Sequence, residues 1–280
     1  MTVRRWKPCL ELRPFVEVYG TREAEFGPGQ AYVPLPARRD CFLEFYLQGR
    51  YRIVTVATGA EHWAPRCVLV GPSTQRQEDL KASGSLQLLS IRFSPIGFRA
   101  LFGMPARLLR DQAMEAGLAL GPEIVELHEQ LAAVGQAEWE AVAERYLLKR
   151  VQKLDVPAER RIAGVAAAMM QRSRGRVGVA EVAARSAVSP RHLERVFQEQ
   201  VGVSPKVFGK LLRLDHALEL GGAASNWGEI ASACEYFDQS HMVRDFRAMT
   251  GATPVKFAAL RSAPPRSRGA MSDFSYTTRV

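Results

Sequence analysis

Several classes of function are poorly supplied in this sequence. Its four cysteines, Cys9, Cys41, Cys67 and Cys234, are scattered over 280 residues without a close pair. They are the buried or incidental thiols of a cytosolic protein, not a zinc or redox motif. The five histidines, His62, His128, His192, His216 and His241, are as dispersed. A metal site needs two or three of them converging with a carboxylate, and only His62 lies in a strand-rich stretch, so no metal is expected. There is no Gly-rich phosphate loop and no nucleophile elbow, so neither a cofactor nor a catalytic residue is expected and the chain does not read as an enzyme. No run of about 18 apolar residues exists to cross a membrane. The opening MTVRRWKPCLELRPF is broken by charges and prolines and is not a signal peptide, which points to the cytoplasm.

What is present is an ordinary globular composition, 47% hydrophobic, with room for two domains, and an internal repeat. The first copy is VAARSAVSPRHLERVFQEQVGVSPKVF, from Val182 to Phe208; the second is IASACEYFDQSHMVRDFRAMTGATPVKF, from Ile230 to Phe257. Leu193, Arg195, Phe197, Gly202, Pro205 and Phe208 fall on Met242, Arg244, Phe246, Gly251, Pro254 and Phe257 at a constant offset of 49, whereas Val182-Ala183 fall on Ile230-Ala231 at 48. The second copy therefore has one extra residue in its turn. Two copies are too few for a solenoid and suit a pair of helix-turn-helix modules, 179–202 and 227–251.

The local chemistry supports that reading. Val179, Val182 and Ala183 give a positioning helix its apolar contacts. Ser189-Pro190 is an N-cap followed by proline at the first helical position, where a missing N–H costs nothing. Leu193, Val196, Phe197 and Val201 recur at three and four, and Gly202 ends the helix as a left-handed cap. Arg191, His192, Glu194, Arg195 and Gln198 are left outside, the kind of polar face that enters a major groove. In the second copy Asn226 and Glu229 mark a start. Ile230, Ala231, Cys234, Met242 and Phe246 point inward, Asp238 caps, and Gly251 closes. Gln239, Ser240, His241, Val243, Arg244 and Arg247 face out.

These residues resemble the DNA-binding domain of the AraC/XylS family of bacterial transcription regulators. The first half carries Ser189, Leu193, Arg195, Phe197, Gly202, Ser204-Pro205, Arg213-Leu214 and Ala217. The second carries Ile230-Ala231, Tyr236, Asp238-Gln239-Ser240-His241, Arg244, Phe246, Gly251 and Thr253-Pro254. The resemblance implies seven helices, with the two modules joined by a long one over about 206–220. It also implies a transcription regulator, activator or repressor, that binds double-stranded DNA and contacts RNA polymerase. Matching positions make Arg191, Glu194 and Arg195 the base readers of the first helix. Gln239, Ser240, His241 and Arg244 are their counterparts, and Ser189, Gln198 and Arg247 the phosphate contacts. Two departures stand out: Glu235 replaces the usual glycine before the aromatic, and Met242 the usual phenylalanine. If position 235 needs a positive φ, glutamate costs about 1 kcal/mol or more there.

Upstream, residues 1–40 read as an irregular lead-in with Phe15, Val16, Val18 and Tyr19 as a short helix or strand. CFLEFYLQ, YRIVTVAT, CVLVGP and LQLLSIRF then read as strands of a small barrel or sandwich. Helical patterns follow in IGFRALFGM, EIVELHEQLAAV and EWEAVAERYLLKRV, where Leu127, Leu131 and Val134 share one stripe and Trp139, Val142, Ala143, Tyr146 and Leu147 another. Strands then helices is an α+β order, similar to the cupin-like sensing domains attached to AraC-type regulators. Such a barrel suits a small-molecule effector; Trp63, Tyr46, Phe45 and Arg92 are its only nameable lining residues. Dimerisation or partner binding alone, or a barrel enzyme, are the alternatives, and the chain could be a monomer or homodimer. DNA-repair methyl acceptors with a similar DNA-binding half need a cysteine cluster that is not here.

The expected organisation is 1–157 for sensing or dimerisation, 158–262 for DNA, and a disordered tail over 263–280, with KRVQKLDVPA as the boundary. In the helix over 159–171, Ile162, Val165, Ala166 and Met169 are expected inward, followed by Arg172, Arg174 and Arg176 near phosphates. Between 158 and 262 there are fifteen basic and ten acidic side chains, so most of the net charge of +9 sits in the DNA-binding half. Replacing Arg195 with alanine should cost roughly 1–3 kcal/mol of DNA affinity and relax preference at one base position, read in a binding titration against base-substituted duplexes.

Overall fold

The computed structural model describes residues 2–152, 154, 157–222 and 225–262; the tail expected over 263–280 and part of the boundary segment lie outside them. The first half is one antiparallel sheet with helices. Its strands are β1 (Thr2–Trp6), β2 (Val16–Pro34), β3 (Phe42–Gln48), β4 (Arg52–Thr55), β5 (Glu61–Trp63), β6 (Cys67–Val70), β7 (Glu78–Phe93) and β8 (Ala113–Glu115). The order is β1-β2-β7-β3-β6-β8, with β4 also on β7 and β5 on β4.

The central strands β3 and β6 and the end of β7 are buried on both faces, which explains why they read as nearly continuous apolar runs, whereas β1 and β5 are largely exposed. On one face Phe26, Phe42, Tyr46, Tyr51, Ile53, Val68 and Leu88, from five strands and a loop, close on one another as the packed lumen of an open barrel, whose end strands β1 and β8 do not pair with each other among the described residues. On the other, Leu43, Phe45, Leu69, Leu89 and Ile91 pack against helices. Those are α1 (Gly97–Phe102), α2 (Ala116–Leu120), α3 (Pro122–Ala132) and α4 (Trp139–Val151), with a 3-10 turn at Ala106–Leu109 after α1. Both expected stripes join this core: Leu127, Leu131, Trp139, Val142, Ala143 and Leu147 are buried, and Val134 and Tyr146 partly so.

Three expectations need correction. The lead-in is not irregular: β1 and the 19-residue β2 occupy most of it. Its alternating charges, Arg22, Glu23 and Glu25, hid a strand whose pairing with β7 runs from Val16 opposite Phe93 to Pro34 opposite Asp79. β7 likewise begins at Glu78, eight residues before the apolar run. Only the first part of YRIVTVAT is strand, because the chain turns after Thr55 and returns as β5.

The second half is helical: α5 (Ala158–Arg172), α6 (Val179–Arg185), α7 (Pro190–Val201), α8 (Pro205–Leu220), α9 (Trp227–Ala233), α10 (Gln239–Thr250) and α11 (Pro254–Ser262). These are the seven helices the resemblance implied, among the described residues. One core gathers Ala166, Met170, Val182, Leu193, Phe197 and Phe208; the other gathers Leu214, Trp227, Ile230, Met242, Phe246 and Phe257. The inward set of α5 is shifted from expectation: Val165 is 52% exposed, and Ala163 and Ala167 are buried instead. Small side chains there let α7 pack close, and that contact decides the face.

The turn into α1 is tightly built. A Cβ on Gly97 would lie 1.7 Å from the Phe15 carbonyl oxygen, which already accepts the Ser94 N–H at 2.8 Å. Gly97→Ala should therefore lower stability by about 1–3 kcal/mol through forced overpacking, measured as a lower urea midpoint.

Candidate nucleic-acid interface

Each module is a short helix, a turn and a capped second helix. In the first, Ser189 accepts the His192 N–H at 3.2 Å and Pro190 follows it. Gly202 closes α7 at φ 94°, with its N–H on the Gln198 carbonyl. Leu193, Val196, Phe197 and Val201 are buried, each worth roughly 1.5–3 kcal/mol when fully withdrawn from water. In the second, Asn226 caps α9 by accepting from Gly228 and Glu229, and Asp238 caps α10 by accepting the His241 N–H at 2.6 Å. Gly251 closes α10 at φ 74°.

This burial fixes what remains outside. On α7, Arg191, Glu194 and Arg195 are exposed, and His192 and Gln198 half-buried. On α10, Gln239, Ser240, Arg244 and Arg247 are exposed, and His241 and Val243 half-buried. Among the described residues, Arg191, Arg244 and Arg247 make no ion pair. Arg195 is engaged: its guanidinium donates to Glu159 on α5 at 2.6 Å and holds that carboxyl below its usual range. Both groups face water, so the pair is worth about 1 kcal/mol at most. A bidentate guanine contact of about 1–3 kcal/mol would outweigh it. Gln198 donates to Glu194 at 3.3 Å across one helical turn. His241 lies 3.8 Å from Asp245, whose other oxygen accepts from Lys210 at 2.8 Å.

Glu235 has φ 53°, as does Ala187 at the equivalent place in the first turn. The condition set by the missing glycine is met, so both turns carry a left-handed non-glycine residue. What the residue pattern did not show is that Arg176 reaches Glu235 at 3.1 Å and ties this turn to the segment following α5. Arg174 lies 3.7 Å from Glu219. Two of the three arginines expected near phosphates thus brace the helices. Tyr236 is buried under the Arg213 guanidinium, 5.2 Å from the ring centre, and burial pushes its phenol up to about 12. Cys234 is buried 3.6 Å from His216.

The C-terminal ends of both outward-facing helices meet the first half of the chain. Glu199 on α7 accepts from Arg107 at 2.9 Å and lies 3.7 Å from Arg99. Gly202 abuts the Ala106 carbonyl, where a Cβ would lie 2.8 Å away. At the end of α10, the Met249 carbonyl accepts the Ala37 N–H at 2.9 Å, and the Thr250 carbonyl accepts from Arg76 at 3.5 Å. Between these points Asp215 on α8 accepts from Arg39 at 3.2 Å. Arg39 also pairs with Glu17 and Asp40, each at 3.2 Å, and Arg92 donates to Asp40 at 2.6 Å. Burial raises the Asp215 carboxyl above its ordinary range even with Arg39 beside it. None of this junction was foreseen.

Of the residues named for a barrel ligand, Tyr46 lines the lumen, where its hydroxyl donates to Glu44 at 3.0 Å. Phe45 faces the helices, Arg92 faces the junction through Asp40, and Trp63 is 47% exposed on β5 with Arg52 over its ring. These four do not form one site. Among the described residues, no group of three His, Cys, Asp or Glu could hold a metal ion, and no helix is long and apolar enough to cross a membrane.

Two capped helix-turn-helix modules behind a barrel define a DNA-binding transcription regulator. Residues 182–259 match the family described as a helix-turn-helix domain, and residues 4–115 a domain of unknown function (DUF6597). The first match covers the C-terminal domain, which is a helix-turn-helix domain of the AraC type. Among solved structures, ToxT from Vibrio cholerae is 10% identical, covering 88% of this chain and 98% of its own, with a TM-score of 0.43. A probable AraC family transcriptional regulator from Rhodopseudomonas palustris is 26% identical over 35% of this chain and 97% of its own, TM-score 0.31. The AraC-like transcriptional activator CuxR is 11% identical over 73% and 83%, TM-score 0.28. No curated protein matches the sequence.

The strained turn gives a direct test. Glu235→Gly removes a left-handed glutamate costing about 1 kcal/mol or more and an exposed ion pair worth no more than about that. A net gain of roughly 0.5–1 kcal/mol is expected, read as a raised midpoint in urea unfolding.

Proposed function

We propose that the chain reads duplex DNA with α7 and α10 and that residues 1–157 control how residues 158–262 do so. The observation that carries this reading is the pairing of two equivalent capped helices, each with its basic and amide side chains outward. Arg191, Glu194 and Arg195, with His192 beside them, are assigned to base edges in one groove segment; Gln239, Ser240, His241 and Arg244 are assigned to the next. Arginine bidentate to guanine and glutamate accepting from cytosine are the apt chemistry. Ser189, Gln198 and Arg247 are assigned to phosphates, which position without specifying. The Ser189 oxygen is used as a cap, and its O–H remains available to donate.

The junction supports the controlling role. It holds α7, α8 and α10 at once, the three elements that set the separation of the two reading faces. It covers the C-terminal ends of α7 and α10 and leaves Arg191, Glu194, Arg195 and Arg244 exposed. Control of this kind adjusts spacing and does not mask the face. A small-molecule effector of the barrel domain is the input in this reading, and RNA polymerase the downstream partner that the family implies.

Two measurements test it. The full chain, titrated with its own upstream DNA over a salt series, should bind tightly against competitor DNA with a steep salt slope; binding abolished by competitor would count against a two-module reader. Asp215→Ala leaves Arg39 neutralised by Glu17 and Asp40, so it loosens the junction without stranding a cation. Affinity should then shift by a factor in the range of about 5–150, the usual size of coupling between sites. An unchanged affinity, with a lowered melting temperature to show that the junction has loosened, would show that the first half does not act through this contact.

A further inference from the structure

The extra residue of the second turn can be identified. Ala187 and Glu235 share φ 53°, and the next N–H groups make the same bond, Val188 to the Ala183 carbonyl at 3.1 Å and Tyr236 to the Ala231 carbonyl at 3.0 Å. The two turns therefore match through Val188 and Tyr236. The caps that follow are Ser189 in one and Asp238 in the other. The inserted residue is Phe237, and the first module has nothing in its place.

Phe237 is 94% exposed, the most exposed large apolar side chain among the described residues. Its surroundings are nevertheless fixed on both sides. Glu235 is held by Arg176, and Tyr236 is buried between the Arg213 guanidinium and the edge of the His241 ring. Asp238 is held by its bond to the His241 N–H. A ring on an anchored turn, wholly in water, contributes nothing to the fold; its hydrophobic gain is available only from a partner. It stands directly before the N-terminus of α10, beside Gln239 and Ser240. That end of a recognition helix leads into the major groove.

We propose that Phe237 is a DNA-contacting residue that packs on apolar duplex surface at the groove edge where α10 enters. The duplex offers two such surfaces there, the thymine 5-methyl group and the deoxyribose ring. This rests on the assignment of α10 as a reading helix. An apolar contact adds affinity without neutralising a phosphate, so its signature differs from that of every basic residue on the same face.

The test compares Phe237→Ser with the native full chain on the same specific duplex. The variant should melt at the native temperature, since the ring buries nothing, and bind about five- to tenfold more weakly. Its salt slope should be unchanged. Deoxyuridine placed for thymine around the contact separates the two surfaces. If it weakens the native protein but not the variant, the partner is a methyl group; if it affects neither, the partner is the sugar. Arg244→Ala is run alongside. If Phe237→Ser binds as tightly as the native chain while Arg244→Ala is weakened, α10 reads DNA but Phe237 does not touch it, and the ring serves a protein contact. If neither is weakened, the placing of α10 in the groove fails, and the proposal with it.

Discussion

A buried guanidinium has to be surrounded by carboxylates, and Arg39 is the place where this protein meets that requirement. Its side chain is 8% exposed and is shared among Glu17, Asp40 and Asp215. With Arg92 on Asp40 the group holds two cations and three anions, each partner withdrawn from water. Desolvation makes such a cluster a poor source of net stability, yet loss of the central cation is expensive because buried carboxylates are left unpaired. Its effect is therefore geometric. Asp215 belongs to α8, the helix between the modules, so the cluster fixes the barrel against the midpoint of the DNA-binding half. The contacts at Glu199 and Met249 follow from that placement.

The double module was legible because its signals are local. Ser189-Pro190, Asn226, Asp238, Gly202 and Gly251 each act within a few residues of the bond they make, and Leu193, Phe197, Met242 and Phe246 declare their face by spacing alone. The sheet was less legible because its signals lie in the partner strand. β2 carries Arg22, Glu23 and Glu25, and nothing in that run announces a strand until β7 is opposite it. Val165 shows a third kind of failure. Its spacing fits the apolar face of α5, but close packing on α7 selected the alanines beside it. The junction could not be read at all, since Arg39 and Asp215 are 176 positions apart and each is unremarkable in its own neighbourhood.

The two modules are not equivalent in how they present their outer faces. In the first, Arg195 is drawn to Glu159 and Gln198 to Glu194, so part of the face is pre-occupied by exposed pairs that the proposed DNA contact would displace. In the second, Arg244 and Arg247 carry no such partner among the described residues, and the strained turn is braced by Arg176. The replacement of glycine by Glu235 thus has two consequences of opposite sign: backbone strain of about 1 kcal/mol or more, and a tether that positions the start of α10.

These facts together favour a reader whose modules are set by the body of the protein and not by their own linker. A single helix, α8, joins them, and a helix by itself fixes distance well but rotation poorly at its ends. The barrel domain supplies the missing constraints by gripping the last turn of each reading helix. Movement at the junction would be felt at both proposed reading faces, because the contacts lie at the opposite end of each helix from its leading residues, Arg191 and Gln239. At about 1.5 Å per residue, the 12 residues of α7 or α10 span roughly 18 Å, and a tilt of a few degrees there displaces the leading side chains by about 1 Å. That is a large fraction of the tolerance of a bidentate hydrogen bond. A domain that leaves the proposed DNA-reading face uncovered is therefore well placed to control it.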